Sequence, residues 1–441
     1  MVFTQRSDAL SWGRVIRSVQ NVARPSSKAE LNALIEEMHF ATVLPVGMRR
    51  SYGDSVLNSN GGIIEMSALN NLINLDTATG SLKAEAGITL DAILRAVVPL
   101  GYFVPVSPGT RFVTLGGAIA NDVHGKNHHR AGSFGNHVLR LGLLRSNGSR
   151  VEIGPDDSIG LFSATVGGLG LTGIIEWAEI KLQPIKSSHL EVEILPFSNL
   201  EEFWTLSEES ILSHEHTVAW IDCTAKGQEC GRGVFSRGNW SQEGDLTPHS
   251  CSNALNVPVD APSWLLNRFT VGLFNKFYFA VQRRKAGNLQ QHYANFFYPL
   301  DAITNWNRLY SRRGFWQYQC VVPKASMRQA TSALLDEIAR SGQGSFLAVL
   351  KTFGEVPSVG YLSFPRAGAT LALDFPNKGE ATLQLFERLD AIVREAGGRL
   401  YAAKDGRIPR NMWSFGYPEL ERFTAHLDSG LASDFWRRVA P

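Results

Sequence analysis

Residues 108–136, PGTRFVTLGGAIANDVHGKNHHRAGSFGN, constrain this chain more than any other stretch. These 29 residues contain six glycines, three histidines and the cations Arg111, Lys126 and Arg130. Glycine lets the main chain approach a ligand closely, and its uncovered N–H groups can bind phosphate or the edge of a ring. The composition therefore predicts a backbone pressed against a bulky, flat, anionic ligand, as in an enzyme that uses an organic cofactor.

Length and composition fit a globular enzyme with more than one domain. The chain has 441 residues, of which 44% are hydrophobic and 19% charged, and a chain of this length usually divides into domains. The net charge of +2 gives no electrostatic reason to expect nucleic-acid binding. The four cysteines (Cys223, Cys230, Cys251 and Cys320) include no CxxC pair, so we expect free thiols.

Neither a signal peptide nor a membrane-spanning helix is visible in the sequence. The N-terminal residues lack an apolar stretch, and no run of about 18 apolar residues occurs. Residues 264–280, WLLNRFTVGLFNKFYFA, are followed by Arg283, Arg284 and Lys285. Two interpretations are open: an element that lies on a membrane surface, or a core element with a solvated basic end.

Two further glycine-rich stretches bear on cofactor binding. Residues 47–54, GMRRSYGD, follow a strand-like run as a phosphate-binding loop does, although no Walker motif is present. Residues 168–173, GLGLTG, match the GxGxxG pattern of Rossmann folds. A Rossmann fingerprint opens a helix, whereas residues 174–182, IIEWAEIKL, are rich in strand formers, so we expect a tight turn near a ligand instead.

Several motifs in a fixed order resemble one family of flavoenzymes. The three glycine-rich stretches are similar to those of the vanillyl-alcohol-oxidase-type flavoproteins. A further set of motifs resembles those of the decaprenylphosphoryl-β-D-ribose 2′-oxidases. These motifs are HGKNHH with AGSFGNHV, GFWQYQ, LKTFG, LSFP, DFP and RLYAAKD (residues 399–405). The similarity extends over nearly the whole chain, beginning at Trp12.

The resemblance implies an α+β fold. We expect a vanillyl-alcohol-oxidase-type (PCMH-type) FAD-binding domain and a substrate domain with an antiparallel sheet flanked by helices. Residues 1–186 would form the first part of the FAD-binding domain, residues 187–397 the substrate domain, and residues 398–441 the C-terminal return to the FAD-binding domain.

The resemblance also implies non-covalently bound FAD. In related flavoenzymes a histidine near His124 is bonded to the flavin, but the family that this chain resembles lacks this bond. A metal site formed by Asp122, His124, His128 and His129 is a competing interpretation, but glycine-rich surroundings disfavour the helix that i, i+4 ligands require, and we expect no metal. The residues matched to cofactor contacts are Gly47, Arg49, Arg50, Ser51, Tyr52, Gly53, Asp54, Gly109, Thr114, Leu115, Gly116, Gly117, His124, Gly125, Lys126, Asn127, Ile175 and Tyr401.

Lys404, in the LYAAKD motif, is the predicted catalytic residue. Its ammonium can stabilise a developing alkoxide or negative charge on the reduced flavin. The alternative is an ordinary surface lysine paired with Asp405. The residues expected to contact substrate are Lys126, Trp220, Gln317, Lys351, Phe353, Thr370, Ala372 and Lys404, with Lys126 and Lys351 holding the sugar phosphate.

Three positions depart from the pattern of the family. Ala372 stands where well-studied members carry a cysteine, Thr370 where asparagine is common, and Asn121 where cysteine is common. The departures concern the substrate side, and a cysteine at position 372 is therefore not required for the chemistry of this chain.

The implied activity is oxidation of the 2′-hydroxyl of a polyprenyl-phosphoryl-β-D-ribose to a 2′-keto sugar by hydride transfer to FAD. Electrons would pass to a quinone or another acceptor, and a short-chain-type NAD(P)H keto-reductase would return the arabinose epimer for cell-envelope glycan. Because the substrate resides in a bilayer, we expect a cytoplasmic or periplasmic protein, peripheral at the inner membrane. Two alternatives are a flavoenzyme acting on a soluble sugar, alditol or aldonolactone, and a flavoprotein that binds lipid-linked sugar without turnover.

Overall fold

The computed structural model describes residues 2–37, 39–250 and 255–440. Helices and mainly antiparallel sheets occur in separate blocks along the chain, which confirms the α+β class. The strands up to residue 184 are β1 (Thr4–Arg6), β2 (Gln20–Ala23), β3 (Val43–Val46), β4 (Gly62–Glu65), β5 (Leu72–Asp76), β6 (Ser81–Glu85), β7 (Tyr102–Phe103), β8 (Val138–Leu144), β9 (Arg150–Ile153), β10 (Ile174–Lys181) and β11 (Gln183–Pro184). The helices of this part are α1 (Lys28–Glu36), α2 (Leu90–Val97), α3 (Leu115–Ala120), α4 (His128–Ala131) and α5 (Leu161–Thr165).

Two sheets organise this first part of the chain. The first has the order β1-β2-β4-β3, with β4 parallel to both β2 and β3. The second is antiparallel, with the order β5-β6-β10-β8-β9. Strand β10 follows the GLGLTG turn directly, so the prediction of a strand rather than a Rossmann helix at this point is confirmed.

A large antiparallel sheet dominates the rest of the chain. Its order is β16-β12-β14-β13-β19-β20-β18-β21. The strands of this part are β12 (His189–Phe197), β13 (His216–Ile221), β14 (Gly233–Trp240), β15 (Leu255–Asn256), β16 (Gly287–His292), β17 (Ile303–Thr304), β18 (Phe315–Pro323), β19 (Ala348–Phe353), β20 (Gly368–Pro376) and β21 (Arg399–Leu400). The helices are α6 (Leu200–Ser213), α7 (Arg268–Arg284), α8 (Tyr293–Phe297), α9 (Met327–Ser341), α10 (Glu380–Glu395), α11 (Arg410–Gly416), α12 (Leu420–Thr424) and α13 (Asp434–Val439).

One face of the large sheet is apolar. Successive strand residues point to opposite faces, so Leu350 in β19, Leu371 and Leu373 in β20 and Cys320 in β18 share a face. They belong to a buried cluster that includes residues of α9 and α10, such as Leu334 and Leu385. The residues between them in sequence point to the opposite face, which is polar.

The C-terminal residues contact both the large sheet and the first sheet of the chain. Strand β21 pairs with β18 at the edge of the large sheet. In α13, Arg438 binds the carboxylate of Asp54 with nitrogen–oxygen distances of 2.9 and 2.8 Å. Leu431 forms a parallel bridge with Val43 in β3. These contacts bring the end of the chain to residues 47–54, which we call the phosphate loop after their predicted role. The domain limits given above stay predictions.

Three of the cysteines, Cys223, Cys230 and Cys320, are free thiols as expected, and Cys251 lies outside the described residues. Across the described ranges, no helix combines the length and apolarity needed to cross a bilayer. The same ranges contain no group of three or more His, Cys, Asp or Glu side chains placed to share a metal ion.

Candidate active site

The candidate site lies on the polar face of the large sheet, and we call the space beside this face the cleft. Lys351 in β19 lies opposite Thr370 in β20, and Asp374 in β20 lies opposite Gln317 in β18. Alternate residues of a strand share a face. The side chains on this wall of the cleft are therefore alternate residues of four adjacent strands. They are Trp220, Val349, Lys351, Thr370, Ala372, Asp374, Gln317 and Gln319.

His124, from the glycine-rich segment, faces this wall. Its Nε2 lies 3.0 Å from Nε2 of Gln319, and its Nδ1 lies 3.3 Å from Nζ of Lys351. The centroid of the Phe353 ring is 4.8 Å away and that of Tyr401 5.7 Å away. Burial and the neighbouring Lys351 charge hold the pKa of His124 well below its usual value, so the imidazole is neutral.

Within the described part of the structure, the ring nitrogens of the histidines in this segment share no hydrogen-bonding partner. His128 packs on Phe353 with 4.3 Å between ring centroids, whereas Nε2 of His129 lies 2.9 Å from the carbonyl oxygen of His214. The side chains therefore do not converge on a common point. Two of the three cations of the segment bind protein groups: Arg111 binds Asp91 at 2.7 Å, and Arg130 donates to carbonyl groups of α6.

The glycines of the segment divide into two groups. A Cβ at Gly116 would lie 2.9 Å from that of Ala86, and one at Gly125 would lie 3.0 Å from the carbonyl oxygen of Ser107, so these glycines permit close packing within the protein. A Cβ at Gly109 would meet no atom within 4 Å. Open space at Gly109 is the arrangement expected where a backbone borders a cofactor.

The phosphate loop supplies a cation without a carboxylate partner. Nε of Arg50 is buried and makes no hydrogen bond, and its guanidinium lies 4.1 Å from the centroid of the Trp12 ring. Among the residues that the structure describes, none places a carboxylate within 4.0 Å of Arg50. Its neighbour Arg49 has a φ of 50° and pairs with Glu65 at 2.8 Å. Arg50 therefore fits an anionic group such as the FAD pyrophosphate.

The phosphate loop also positions the Lys404 motif. The amide of Tyr52 donates to the carbonyl oxygen of Ala403 at 2.9 Å, and a Cβ at Gly53 would lie 1.5 Å from the carbonyl oxygen of Asp405. The two segments thus touch backbone to backbone. Nζ of Lys404 lies 4.0 Å from the centroid of the Tyr52 ring.

Lys404 is not paired with its sequence neighbour. The Asp405 carboxylate accepts hydrogen bonds from Arg438 at 3.1 Å and from the amide of Ile408 at 2.8 Å. The alternative of a surface lysine paired with Asp405 is therefore wrong. Burial lowers the pKa of Lys404 below its usual value, while the charge of Asp374 raises it. An ammonium in such surroundings interacts strongly with any charge that develops nearby.

Two more lysines share the cleft. Lys351 donates to the carbonyl oxygen of Gly125 at 3.3 Å, and Lys126 donates to the carbonyl oxygen of Phe296. Burial lowers the pKa of Lys126 and of Lys351 to about 7, and the charge of Lys351 contributes to the shift at Lys126. An anionic ligand would stabilise the charged forms that burial disfavours, so the two lysines fit such a ligand.

The remaining predicted residues form walls or supports. The indole of Trp220 donates to the carbonyl oxygen of Phe346 at 3.0 Å, and Thr370 donates to that of Cys320 at 2.9 Å. The Tyr401 hydroxyl donates to the carbonyl oxygen of Asn121 at 2.9 Å. The other predicted residues contact protein groups. Leu115 and Ile175 lie in an apolar cluster, Thr114 caps α3 by accepting from the amide of Gly117, and Gly47 adjoins Thr114. Asn127 donates to the carbonyl oxygen of Pro105, the Ser51 carbonyl accepts from the amide of Trp12, and Asp54 binds Arg438.

Asp374 is a site residue that the sequence reasoning missed. The DFP motif contributed to the resemblance, but no role was predicted for its aspartate. The available signal was a carboxylate between Leu373 and Phe375 in a strand without any other charged residue, because a buried strand holds a charge only where a partner exists.

Comparisons with known proteins agree with this geometry. Residues 19–154 match the FAD binding domain family. Decaprenylphosphoryl-beta-D-ribose oxidase of Mycolicibacterium smegmatis (strain ATCC 700084 / mc(2)155) is 38% identical over 98% of this chain and 96% of its own length. An uncharacterized protein of Streptomyces coelicolor is 34% identical over 80% of this chain and 100% of its own length. D-lactate dehydrogenase of Anaerostipes hadrus is 25% identical over 36% of this chain and 35% of its own length.

The fold, the matched domain and the open site together define an FAD-dependent oxidoreductase with a PCMH-type cofactor domain. Within that class, the chain belongs to the decaprenylphosphoryl-β-D-ribose oxidase family.

Replacing Gly109 by valine is expected to weaken FAD binding at least about tenfold, since a side chain would occupy the space beside the backbone. Stability of the cofactor-free protein should change little, because no protein atom lies within 4 Å of the new Cβ. Flavin fluorescence titration measures the first quantity and thermal unfolding of the apoprotein the second. Unchanged FAD affinity would show that Gly109 does not border the cofactor.

Proposed function

We propose that the protein oxidises the 2′-hydroxyl of a polyprenyl-phosphoryl-β-D-ribose to the 2′-keto sugar, the first half of epimerisation to an arabinose donor for cell-envelope glycan. The observation that carries the proposal is the lysine series Lys126, Lys351 and Lys404 along one cleft. Such a series suits a substrate with a phosphate at one end of a sugar and a reacting hydroxyl at the other. The relative named for decaprenylphosphoryl-β-D-ribose supports this substrate class.

Within this proposal, each side chain has a distinct task. FAD, held by the 47–54 loop and the 108–136 segment, supplies the hydride acceptor. Lys404 stabilises negative charge on the substrate oxygen, and the Tyr52 ring fixes the position of its ammonium. Lys126 and Lys351 bind the phosphate, while Trp220 and Phe353 bound the sugar site.

We also propose that FAD is held without a covalent bond. Both nitrogens of the His124 ring already face protein groups, Gln319 and Lys351, and the ring is held between Phe353 and Tyr401. Acid precipitation of the yellow protein is expected to release the flavin into the supernatant. Flavin retained in the pellet would contradict this assignment and would indicate a bond to His124 or another side chain.

The phosphate-binding role of the lysines predicts proton uptake when substrate binds. The pKa values of Lys126 and Lys351 are near 7 in the free protein, and an adjacent phosphate stabilises their charged forms and raises those values. Above about pH 7 the lysines are therefore mainly neutral before binding and charged after it, so affinity should fall as the pH rises from about 7 to 9. Calorimetry in buffers of different ionisation enthalpy measures the uptake. Equal heats in all buffers at pH 8.5 would contradict the assignment.

Helix α7 is the candidate membrane contact. Its residues Phe269, Leu273 and Phe277, at i, i+4 spacing, are 76%, 71% and 68% exposed, and Trp264 just before it is 70% exposed. These residues do not belong to the core, so the interpretation of this stretch as a core element is wrong for the outward face. Basic residues at both ends of the helix suit an anionic lipid surface.

An adjacent face of α7 contacts the cleft. The ring of Tyr278 lies 4.7 Å from that of Trp220, and the ring of Phe274 lies 5.6 Å from that of Phe346. A helix that contacts a substrate wall with one face and exposes apolar side chains with the other is suited to receive a polyprenyl chain from a bilayer. We therefore propose a peripheral position at the inner membrane.

Replacing Phe269, Leu273 and Phe277 together by serine is expected to weaken liposome binding at least about tenfold, since burying one such side chain contributes about 1.5–3 kcal/mol. Folding should be preserved because the three side chains are exposed. Liposome flotation measures binding, and Leu212→Ser, on the exposed end of α6, is the matched control. Equal flotation of the triple variant and the wild type would contradict the membrane role of α7.

The reaction requires two further partners. A quinone or another acceptor would remove electrons from the reduced cofactor, and a short-chain-type NAD(P)H keto-reductase would convert the 2′-keto sugar to the arabinose epimer. Both follow from the chemistry of the proposed product, which is a ketone that needs reduction.

Anaerobic mixing with substrate tests the function. Polyprenyl-phosphoryl ribose is expected to bleach the flavin absorbance, as is its arabinose epimer if the ketone is formed reversibly. Bleaching by a soluble aldonolactone or alditol, with none by the lipid-linked sugar, would establish the soluble-sugar alternative. Binding without bleaching would establish a flavoprotein that does not turn over its ligand.

A further inference from the structure

We propose that Asp374 is the base that accepts the proton of the 2′-hydroxyl, with Lys404 as its charge partner. This proposal rests on the proposed function and adds a second reacting group to the site. It follows from the position of the Asp374 carboxylate in the cleft and from the hydrogen bonds around it.

The Asp374 carboxylate is buried but faces the cleft. Asp374 is 1% exposed and lies on the polar face of β20. Its sequence neighbours Leu373 and Phe375 belong to the apolar core on the other face. Oδ1 accepts a hydrogen bond from Nε2 of Gln317. Throughout the described part of the chain, no residue donates a hydrogen bond to Oδ2. One oxygen is thus fixed by the protein and the other is free for a substrate hydroxyl.

Asp374 belongs to a connected set of polar side chains. Gln317, which donates to Asp374, is also a neighbour of the Tyr52 phenol, whose pKa burial and the Asp374 charge raise. Tyr52 in turn carries Lys404 on its ring, 4.0 Å from the centroid. The Asp374 amide donates to Ser345 Oγ at 3.1 Å, which anchors the strand at this point. The carboxylate therefore stands in a fixed place relative to the ammonium that the reaction requires.

The surroundings leave Asp374 ionisable and basic. Burial raises the pKa of the Asp374 carboxyl, while the Gln317 hydrogen bond and the Lys404 charge lower it. Two phenols, those of Tyr310 and Tyr52, also interact with this carboxylate. Burial raises the pKa of each well above its usual value, so both phenols stay neutral. A carboxylate with a raised pKa is a better proton acceptor than an exposed one.

Neighbouring groups are poorer bases. The pKa of His124 is held well below its usual value, so its neutral ring has little affinity for a proton. The Tyr52 phenol has a pKa well above its usual value and stays protonated. Burial lowers the pKa of Lys404, but the Asp374 charge raises it and so favours the ammonium, which has no site for a further proton. The comparison favours Asp374 as the terminal acceptor.

The step balances with FAD as the oxidant. The C2′–H bond breaks and its hydrogen leaves with the electron pair to bound FAD. The O–H bond breaks and its proton goes to Asp374 Oδ2, while C2′ and its oxygen form the carbonyl. Protonation removes the negative partner of Lys404, so the net positive charge of the pair increases as the cofactor gains negative charge. The proton leaves Asp374 after the acceptor reoxidises the cofactor.

Asp374→Asn is the decisive variant, because asparagine has nearly the same shape and its Oδ1 still accepts from Gln317. Stopped-flow reduction by polyprenyl-phosphoryl ribose is expected to slow about 10²–10⁴-fold, the usual contribution of a general base, with FAD still bound. Asp336→Asn, on the exposed side of α9, is the matched control and should reduce at the wild-type rate. A rate for Asp374→Asn within about threefold of wild type would overturn the proposal.

Gln317→Leu gives a second test that keeps the carboxylate. Loss of the amide donor raises the pKa of Asp374, since that hydrogen bond favours the charged form. The reduction rate falls when the base is protonated, so the acidic limb of the pH–rate profile is expected to move to higher pH. An unmoved limb would overturn the assignment of that limb to Asp374.

Infrared difference spectroscopy tests the carboxyl group without any substrate. The spectrum of FAD-loaded wild type minus that of Asp374→Asn isolates the C=O band of protonated Asp374. This band is expected to persist to a pH well above about 4, the ordinary pKa of aspartate, and to higher pH still in a Lys404→Met background. Titration in the ordinary aspartate range would overturn the proposal, whereas a wild-type flavin that lipid-linked ribose fails to bleach would refute the proposed function itself.

Discussion

Lys404→Met is expected to slow flavin reduction by polyprenyl-phosphoryl ribose about 10²–10³-fold, the range found when a preorganised donor to a developing oxyanion is removed. Methionine keeps an unbranched side chain over the Tyr52 ring, so the loss is chiefly that of the charge. FAD should stay bound through the glycine-rich segment. Anaerobic stopped-flow absorbance measures the reduction rate, and the flavin spectrum reports cofactor content.

The matched control for Lys404→Met is Lys324→Met. Lys324 pairs with Glu355 at 3.0 Å on the surface, where both side chains are exposed, and such pairs contribute little. The control should reduce at the wild-type rate. Full turnover in Lys404→Met would contradict the catalytic role and return this lysine to a structural one.

Gly53→Ala is expected to lower the free energy of unfolding by about 3 kcal/mol or more and to abolish FAD binding. The added Cβ would lie 1.5 Å from the carbonyl oxygen of Asp405 and 2.6 Å from Cα of Gly406. Both contacts are with backbone atoms, so relief requires the phosphate loop and the Lys404 motif to separate. Urea denaturation measures the stability, and flavin absorbance after purification measures the cofactor.

Gly272→Ala is the control for Gly53→Ala. Its Cβ would meet only Thr224 Oγ1 at 4.0 Å, and its place inside α7 favours alanine by about 0.5–1 kcal/mol. This variant should unfold at the same urea concentration as the wild type or a higher one. A Gly53→Ala protein with wild-type stability and full FAD content would contradict the backbone contact between the two segments.

Local patterns predicted the elements that depend on local rules. The strand formers in residues 174–182 overruled the GxGxxG match, and β10 begins at Ile174 as that pattern requires. The start of α1 is also a local feature, because the Ser27 side chain accepts a hydrogen bond from the amide of Glu30 within the first turn. The class of the ligand followed from composition, because phosphate and ring ligands require close backbone approach.

Local sequence patterns could not predict contacts between distant parts of the chain. The sequence treats the glycines of residues 108–136 alike, whereas packing against Ala86 explains Gly116 and only the structure shows open space at Gly109. The partner of Asp374 is Gln317, 57 residues away, and this pairing depends on the register of β18 and β20. The two interpretations of residues 264–280 could not be separated without knowing which face of α7 the cleft covers.

Isotopic labelling of the substrate shows whether the hydride comes from C2′ of the ribose. Polyprenyl-phosphoryl ribose carrying deuterium at C2′ is expected to bleach the flavin several-fold more slowly than unlabelled substrate under anaerobic conditions, because that C–H bond breaks in the hydride transfer. Deuterium at C3′ should leave the rate unchanged. An isotope effect at C3′ instead of C2′, or no bleaching by either substrate, would contradict oxidation of the ribose at C2′.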